Sequence, residues 1–523
     1  MIPSIHHCGG CGHAGSHGHV DSRPTNQDNG HDPAINTEKT VRTGEPIRVG
    51  AVFITASAGQ QVWPYINFDY ASRIKEIQNR LSAAHPELMF DWLEIQGAAV
   101  DETARVEKLA DSVDGLLVFV LATNWPLTET LFPAMGNWGL PLVLVDEPYA
   151  GSGVFLCHGA AALNAGGQAV MVSSCRFQDV LDVIQCFSGL RKPDADLATF
   201  MAEAETVRRR NFALPCDMRC KSDPVPVHPR DQALDRLRGS TILRVIGEKS
   251  SASSELGVTV KTATFDEINA AYQAVDPAEA EEWAERWIEE ADQVVEPDAS
   301  DIRDSAAIYL AMKQLMDRYE ARAITVDCLG GFYSGKLPGY PCLGYRQLND
   351  DGVAMGTCEA RVPDALAMLL FRDLFDRASF ASDPVLDTST NRIIYAHCVA
   401  PTRMLGPAGP TNPFRIRSHA EDNLGASIQS IMPTGYMTTT IGFDHDLKAM
   451  VMHQAKAVAN IDEPRACRTK LAAEVNGDIE KLFHQWDRFA WHRVTAFGDL
   501  REPLEAVADA LELEVIQEAQ ASA

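Results

Sequence analysis

The chain has 523 residues, 46% hydrophobic and 23% charged, with a formal net charge of −26. That length suffices for about three domains and a large core, and the composition excludes a chain disordered throughout. The acidic balance repels phosphate backbones and anionic lipid, so neither nucleic acid nor a membrane surface is an expected partner.

Residues 1–45 are rich in Gly, His, Asn, Asp and Ser and carry no apolar periodicity. Such a segment buries too little surface to offset its ordering entropy, and it reads as a disordered tail. His6, His7, Cys8, Cys11, His13, His17 and His19 crowd into it, a ligand set suited to adventitious Zn2+ or Ni2+ rather than to a folded finger. The N-terminus has neither a basic nor an apolar signal region, and the longest apolar run, Gly115 to Ala122, is strand length, so a cytoplasmic protein is expected. Cys157, Cys175, Cys186, Cys328 and Cys398 sit in apolar contexts and read as buried, reduced thiols.

From Ile47 the pattern alternates short β-rich runs (RVGAVFITA, LMFDWLEI, GLLVFVLAT, PLVLVDEP) with helical stretches. That rhythm predicts an open, doubly wound α/β domain over residues 46–195. Thr55, Asn124, Asp146 and Glu147 then fall beyond strand ends, while GSG at Gly151 to Gly153 reads as a plain turn. A Pro- and Arg-containing stretch, about 192–238, breaks the rhythm before STILRVIG restarts it, which predicts a second α/β domain within 196–380. Cys216 and Cys220, in that stretch, have half the spacing of a metal site and read as structural. The run of Glu279, Glu281, Glu282, Glu285, Glu289 and Glu290 reads as a solvated helix face. Residues 381–523 turn β-rich (RIIYAHCV, FRIRSHAE, GASIQSIM, GYMTTTIGF, HRVTAFGD) and end in a closing helix, which Asp499 is expected to cap. The predicted fold class is therefore α/β, two open Rossmann-like domains followed by a β-rich C-terminal domain.

The chemistry-bearing residues lie between Asp327 and Asp499. Glu359, in GTCEARVP, stands at a strand end just before a helix, where the helix terminus favours negative charge. Asp327, Asp364, His397, His419 and His492 complete the candidates, and carboxylate plus imidazole donors suit manganese or magnesium acting as a Lewis acid. Trp486 and Trp491 read first as core, with an apolar wall for a sugar ring as the other use.

The ordered segments LNDDGVAMGTCEARVPDALAMLL, AHCVAP, SHAEDNLGASIQ and HRVTAFGDLREPLEAVADALELEV resemble those of the L-fucose isomerase and L-arabinose isomerase superfamily, most closely fucose isomerase-like proteins. The resemblance covers about residues 46–515. It implies an aldose–ketose isomerase working through an enediol, with a divalent metal chelating the C1 and C2 oxygens while carboxylates shuttle the proton. It further implies a sugar substrate, a homo-oligomer, and Mn2+, with Mg2+ or Co2+ as substitutes, held by Glu359 and His492. Asp327 and Asp364 become further catalytic carboxylates, and His397, His419, Arg361 and Arg417 substrate contacts.

One departure stands out. The family usually carries an acidic residue two positions after the glutamate, and here that position is Arg361. Three readings follow: Asp327 or Asp364 supplies the missing carboxylate and Arg361 turns outward; Arg361 recognises an anionic substrate group, helped by Arg403, Arg415 or Arg417; or the metal site is lost. An epimerase or lyase acting on a modified sugar, and a non-catalytic sugar- or metal-binding relative, are the alternatives to isomerisation.

Overall fold

The computed structural model describes residues 46–193, 195–215, 217–247 and 251–520. The tail ligands and Cys216 lie outside these described residues.

The first sheet is built from β1 (Ile47–Ile54), β2 (Leu88–Ile95), β3 (Gly115–Val120), β4 (Leu142–Asp146) and β5 (Val170–Ser173), all parallel in the order β2-β1-β3-β4-β5. Helices cover both faces, so the central strand GLLVFV is buried at every position, while the edge strand β2 exposes Met89, Trp92 and Glu94. The helix Leu197–Arg210 packs on this unit through Phe200 and Ala204, extending the first layer past residue 195. GSG does not form a plain turn: Ser152 and Gly153 open the helix Ser152–Asn164, and the Ser152 amide donates to the buried Asp146 carboxylate at 2.6 Å.

The second sheet has the order β11-β10-β6-β8-β7, from β6 (Thr241–Ile246), β7 (Ser251–Glu255), β8 (Val258–Thr264), β10 (Ala323–Val326) and β11 (Met355–Cys358). Only β7 runs antiparallel. The acidic stretch forms two helices, Phe265–Gln273 and Pro277–Glu290, interrupted where Asp276 and Pro277 start the second. Glu279, Glu282, Glu285, Glu289 and Glu290 are exposed, whereas Glu281 is half-buried and pairs with Arg303.

The C-terminal strands close on themselves. β12 (Ser379–Asp387), β13 (Arg392–His397), β16 (Met437–Phe443), β17 (Ala449–Asn460), β18 (Thr469–Val475) and β19 (Arg493–Phe497) form an antiparallel barrel in the order β16-β19-β12-β13-β18-β17, with β17 pairing back to β16. A strand absent from the sequence reading, β20 (Glu514–Gln517), adds in parallel to β17. FRIR and SIQS do not join the barrel. As β14 (Phe414–Arg417) and β15 (Ser427–Ser430) they pair with each other, and β14 also pairs with the two-residue β9 (Gln293–Val294), extending the second unit.

Two further expectations change. Asp499 does not cap the last helix, because its carboxylate accepts from Gln454 Nε2 at 2.6 Å. Cys175 is exposed, while Cys157, Cys186, Cys328 and Cys398 are buried free thiols. Among the described residues no helix is long and apolar enough to cross a membrane.

The barrel docks against both α/β units. Ser173 Oγ, at the end of β5, donates to Leu386 O of β12 at 2.8 Å. Arg465, before β18, reaches Glu147 at 2.8 Å, and Glu147 also binds Arg73 at 2.9 Å.

Candidate metal centre

The register of the second sheet brings two carboxylates together. Val326 pairs with Cys358, so Asp327 and Glu359 are each one residue beyond the carboxyl ends of adjacent parallel strands. Glu359 and Ala360 both take left-handed backbone conformations, φ 62° and 53°, in the tight turn before the helix Val362–Phe375. Two consecutive non-glycine residues in that region cost of order 1–3 kcal/mol each, strain that marks functional turns. Pro363 then pre-sets the first helical turn and Asp364 sits within it.

The barrel register supplies the rest. Ser382 pairs with Arg493 and Asp383 with Ala396 in antiparallel ladders. One step further along, His492 comes opposite Asp383, and His397 follows directly after Ala396. The His397 and His492 rings lie 5.1 Å apart.

His492 is fully buried. Its Nδ1 meets Asp364 Oδ2 at 2.6 Å, so the carboxylate fixes the ring and directs Nε2 into the junction. Nε2 has no hydrogen-bond partner and lies 3.6 Å from Glu359 Oε2 and 3.6 Å from Asp383 Oδ1. Glu359 Oε2 also accepts from Trp491 Nε1 at 2.8 Å, which fixes the carboxylate.

The electrostatics follow from this crowding. Burial pushes Glu359 up, but the charge of His492, helped by the hydrogen bond from Trp491, outweighs it and brings the carboxyl down to about 2. Burial likewise opposes the charged form of His492, and Glu359 and Asp364 together hold its pKa well above the ordinary imidazole value. Burial drives Asp383 well up, with the charge of His492 opposing and that of Glu359 adding. Burial brings His397 down to about 3, and its Nε2 lies 2.7 Å from Cys358 Sγ.

An orphaned, fully buried imidazole nitrogen aimed between two carboxylate oxygens is a donor set that fits a divalent cation. Glu359, Asp383 and His492 would hold it, with His397 beside them. Cys358, Glu359 and His397 present donor atoms within 4.8 Å of one another, as do Asp383, His397 and Cys467.

The remaining expected residues divide. Asp364 is not a free catalytic carboxylate, because it orients His492 and ion-pairs with Arg361 Nε at 3.3 Å. The Arg361 guanidinium lies over the Trp491 ring, 4.6 Å from its centroid. Asp327 stands beside Glu359 but accepts from Gly330 N at 3.1 Å as a helix cap; burial first, then the Glu359 charge, raises its pKa. His419 pairs with Asp422 at 3.2 Å, and Asp422 also accepts from the Tyr340 hydroxyl. That pairing overcomes burial and lifts His419 to about 9. Arg417 does not line the centre; Glu296 grips its guanidinium through contacts of 2.5–2.8 Å. Trp486 is core, whereas Trp491 is a wall of the centre and meets Trp125 of the first unit edge-on at 5.0 Å.

Sequence reasoning missed Asp383 and Glu421. Asp383 sits in the middle of the strand SFASDPVLD, and only the strand pairing brings it to His492. Glu421 accepts from Tyr333 OH at 2.5 Å. Burial raises it, His419 and Tyr333 oppose, and the charge of Glu359 adds, for a result of about 7.

Asp364→Asn is expected to lower metal affinity about 10–100-fold, because the amide no longer enforces the Nδ1–H tautomer of His492. Metal titration of the two proteins, with their circular dichroism matched, measures this. Equal affinities would mean that Asp364 does not orient the ring.

No family model and no curated protein matches the chain. Among solved structures, a chain of the XylFII-LytSN complex is 12% identical over 56% of this chain and 86% of its own, with a TM-score of 0.16. A solute-binding protein of an ABC transporter from Bacillus halodurans C-125, with bound myo-inositol, is 13% identical over 56% of this chain and 83% of its own, also at 0.16. XylFII by itself is 12% identical over 60% of this chain and 97% of its own, again at 0.16. Likeness at that level carries no argument about fold or activity.

Proposed function

We propose that the chain is a metal-dependent ketol isomerase that interconverts an aldose and a ketose through an enediol, a relative of the L-fucose and L-arabinose isomerases. The observation that carries this reading is the buried, unpartnered Nε2 of His492, flanked by Glu359 and Asp383 and braced by Asp364. A bound divalent ion would polarise the C1 and C2 oxygens of the sugar and make the C2 proton more acidic. The family resemblance implies Mn2+, with Mg2+ or Co2+ as substitutes, and a homo-oligomer.

The chain's own groups supply the proton transfer. Glu421, with a pKa near neutrality and a hydroxyl from Tyr333 fixing one oxygen, has the poise of a general base that takes the C2 proton and returns it to C1. Asp327, raised by burial beside Glu359, is suited to relay a proton between the two sugar oxygens. Trp491 and Trp125 give the ring an apolar wall and restrict water.

A proton-transfer route predicts that incubation with a converted aldose in deuterium oxide puts deuterium on the carbon next to the carbonyl, read by NMR. Conversion without any label would contradict a solvent-exchanging base, and no conversion across a panel of aldoses, with the ion bound, would contradict isomerisation. Because Glu421 acts deprotonated, kcat/KM is expected to rise with a midpoint near pH 7. Glu421→Gln is expected to lose that limb along with about 10²–10⁴ of kcat. An unchanged profile would remove Glu421 from the mechanism.

One observation favours a second reading, an epimerase or lyase on an anionic sugar. Arg361 Nε is buried without a hydrogen-bond partner, and its guanidinium lies over Trp491 at the centre's edge. A substrate carboxylate or sulfonate would pair with it. Preference for sugar acids over neutral aldoses, lost in Arg361→Met, distinguishes the two.

A further inference from the structure

The strand β11 ends in Cys358, and its neighbour Glu359 ought to point to the opposite face of the sheet, as successive strand residues do. It does not. The left-handed φ of 62° at Glu359 breaks the alternation, and the thiol, the carboxylate and the His397 imidazole present donor atoms within 4.8 Å of one another. Cys358 Sγ lies 2.7 Å from His397 Nε2, all within a buried junction. On the other side of the same ring, Cys467 Sγ faces Nδ1 at 3.8 Å. A second buried donor is aimed into the same space: His492 Nε2, without a partner and 3.6 Å from Glu359.

We infer that the ion of this centre is thiophilic, with the Cys358 thiolate and His397 joining the Glu359, Asp383 and His492 donors, which puts it in the zinc and cobalt class rather than the manganese and magnesium class. The inference rests on the metal reading proposed above and deepens it. Thiolate and imidazole donors select zinc and cobalt, whereas manganese and magnesium favour all-oxygen surroundings. Binding breaks the Cys358 S–H bond, the proton leaves to solvent, and the sulfur lone pair forms the bond to the ion, with no change of oxidation state. His397 binds through Nε2, so Nδ1 carries its proton toward Cys467, and the ring's two nitrogens have separate tasks.

The test uses the full chain carrying Cys8→Ser and Cys11→Ser, so that the tail contributes no thiolate. The metal-free protein is titrated with Co2+. The expected result is one ion lost on Glu359→Gln, together with an intense near-ultraviolet sulfur-to-cobalt charge-transfer band. Cys358→Ser is expected to abolish the band while cobalt stays bound, and to reduce the preference for zinc over manganese about tenfold or more. Cys467→Ser keeps the band. Cadmium NMR of the cysteine-bearing site gives a readout that needs no substitution at Cys358: a sulfur ligand moves the resonance far downfield of an all-nitrogen and oxygen site. Cobalt bound without a charge-transfer band, or a band indifferent to Cys358→Ser, overturns the thiolate inference and leaves the Glu359, Asp383 and His492 reading standing. No Glu359-dependent cobalt at all overturns both.

Discussion

Replacing His492 by alanine is expected to remove the bound ion and essentially all activity, and also to destabilise the metal-free protein by about 3–5 kcal/mol. Three carboxylates face this one ring, the buried Asp364 at 2.6 Å and the partly buried Glu359 and Asp383 each at 3.6 Å. Without it only Arg361, 3.3 Å from Asp364, remains as an ion-pair partner within this group. Uncompensated buried charge is among the few causes of single-site losses this large. Chemical denaturation of metal-free wild type and variant measures the stability loss, and metal analysis the ligand loss. A variant of unchanged stability that still binds the ion would contradict the geometry.

The barrel's own charge pair is expected to have an effect of the same order. Arg493, the residue after His492, donates to Glu518 at 2.8 Å with both side chains at 1% exposure or less. The same guanidinium donates to the carbonyls of Ala490 and His492, each at 3.0 Å, so it holds the segment that presents His492. Glu518 also meets His453 Nδ1 at 3.0 Å, and His453 Nε2 meets Tyr395 OH at 2.7 Å. Arg493→Met leaves Glu518 with an incomplete set of partners and is expected to cost about 3–5 kcal/mol. It should weaken metal binding too, because the His492 carbonyl loses its anchor. Burial raises the Glu518 pKa, but Arg493 and His453 outweigh it and bring it to about 2. Its folded-state pKa is therefore depressed, so the stabilisation is complete above about pH 4.5 and is lost as pH falls toward 2. Denaturation midpoints across that window measure it. A flat wild-type profile there, or an Arg493→Met variant of unchanged stability, would contradict the assignment.

What the sequence made legible was what local pattern encodes. The apolar runs of β1, β3 and β4 announce a parallel sheet because strands covered on both faces are continuously hydrophobic. The turn GTCEARVP announces Glu359 because a strand end followed by Pro363 is a strand-to-helix junction. What stayed hidden depends on register. Asp383 follows from two antiparallel ladders that no local spacing reveals, and it lies 3.6 Å from His492, where a carboxylate is expected from Asp327 or Asp364. Asp364 could be placed in a first helical turn, yet its role as the brace of His492 needs a partner 128 residues away. Arg417 looked available for a substrate because Glu296, its actual partner, lies 121 residues earlier in another segment. β20 escaped notice because EVIQ is too short to show alternation.

The most direct test of the centre is the metal content of the full chain beside Asp383→Asn, His492→Ala and Arg417→Met, since the tail contributes equally to all four. The account predicts that Asp383→Asn and His492→Ala each contain one ion per chain fewer than wild type, while Arg417→Met matches it. Equal metal content in all four, or loss of the ion in Arg417→Met alone, would contradict it.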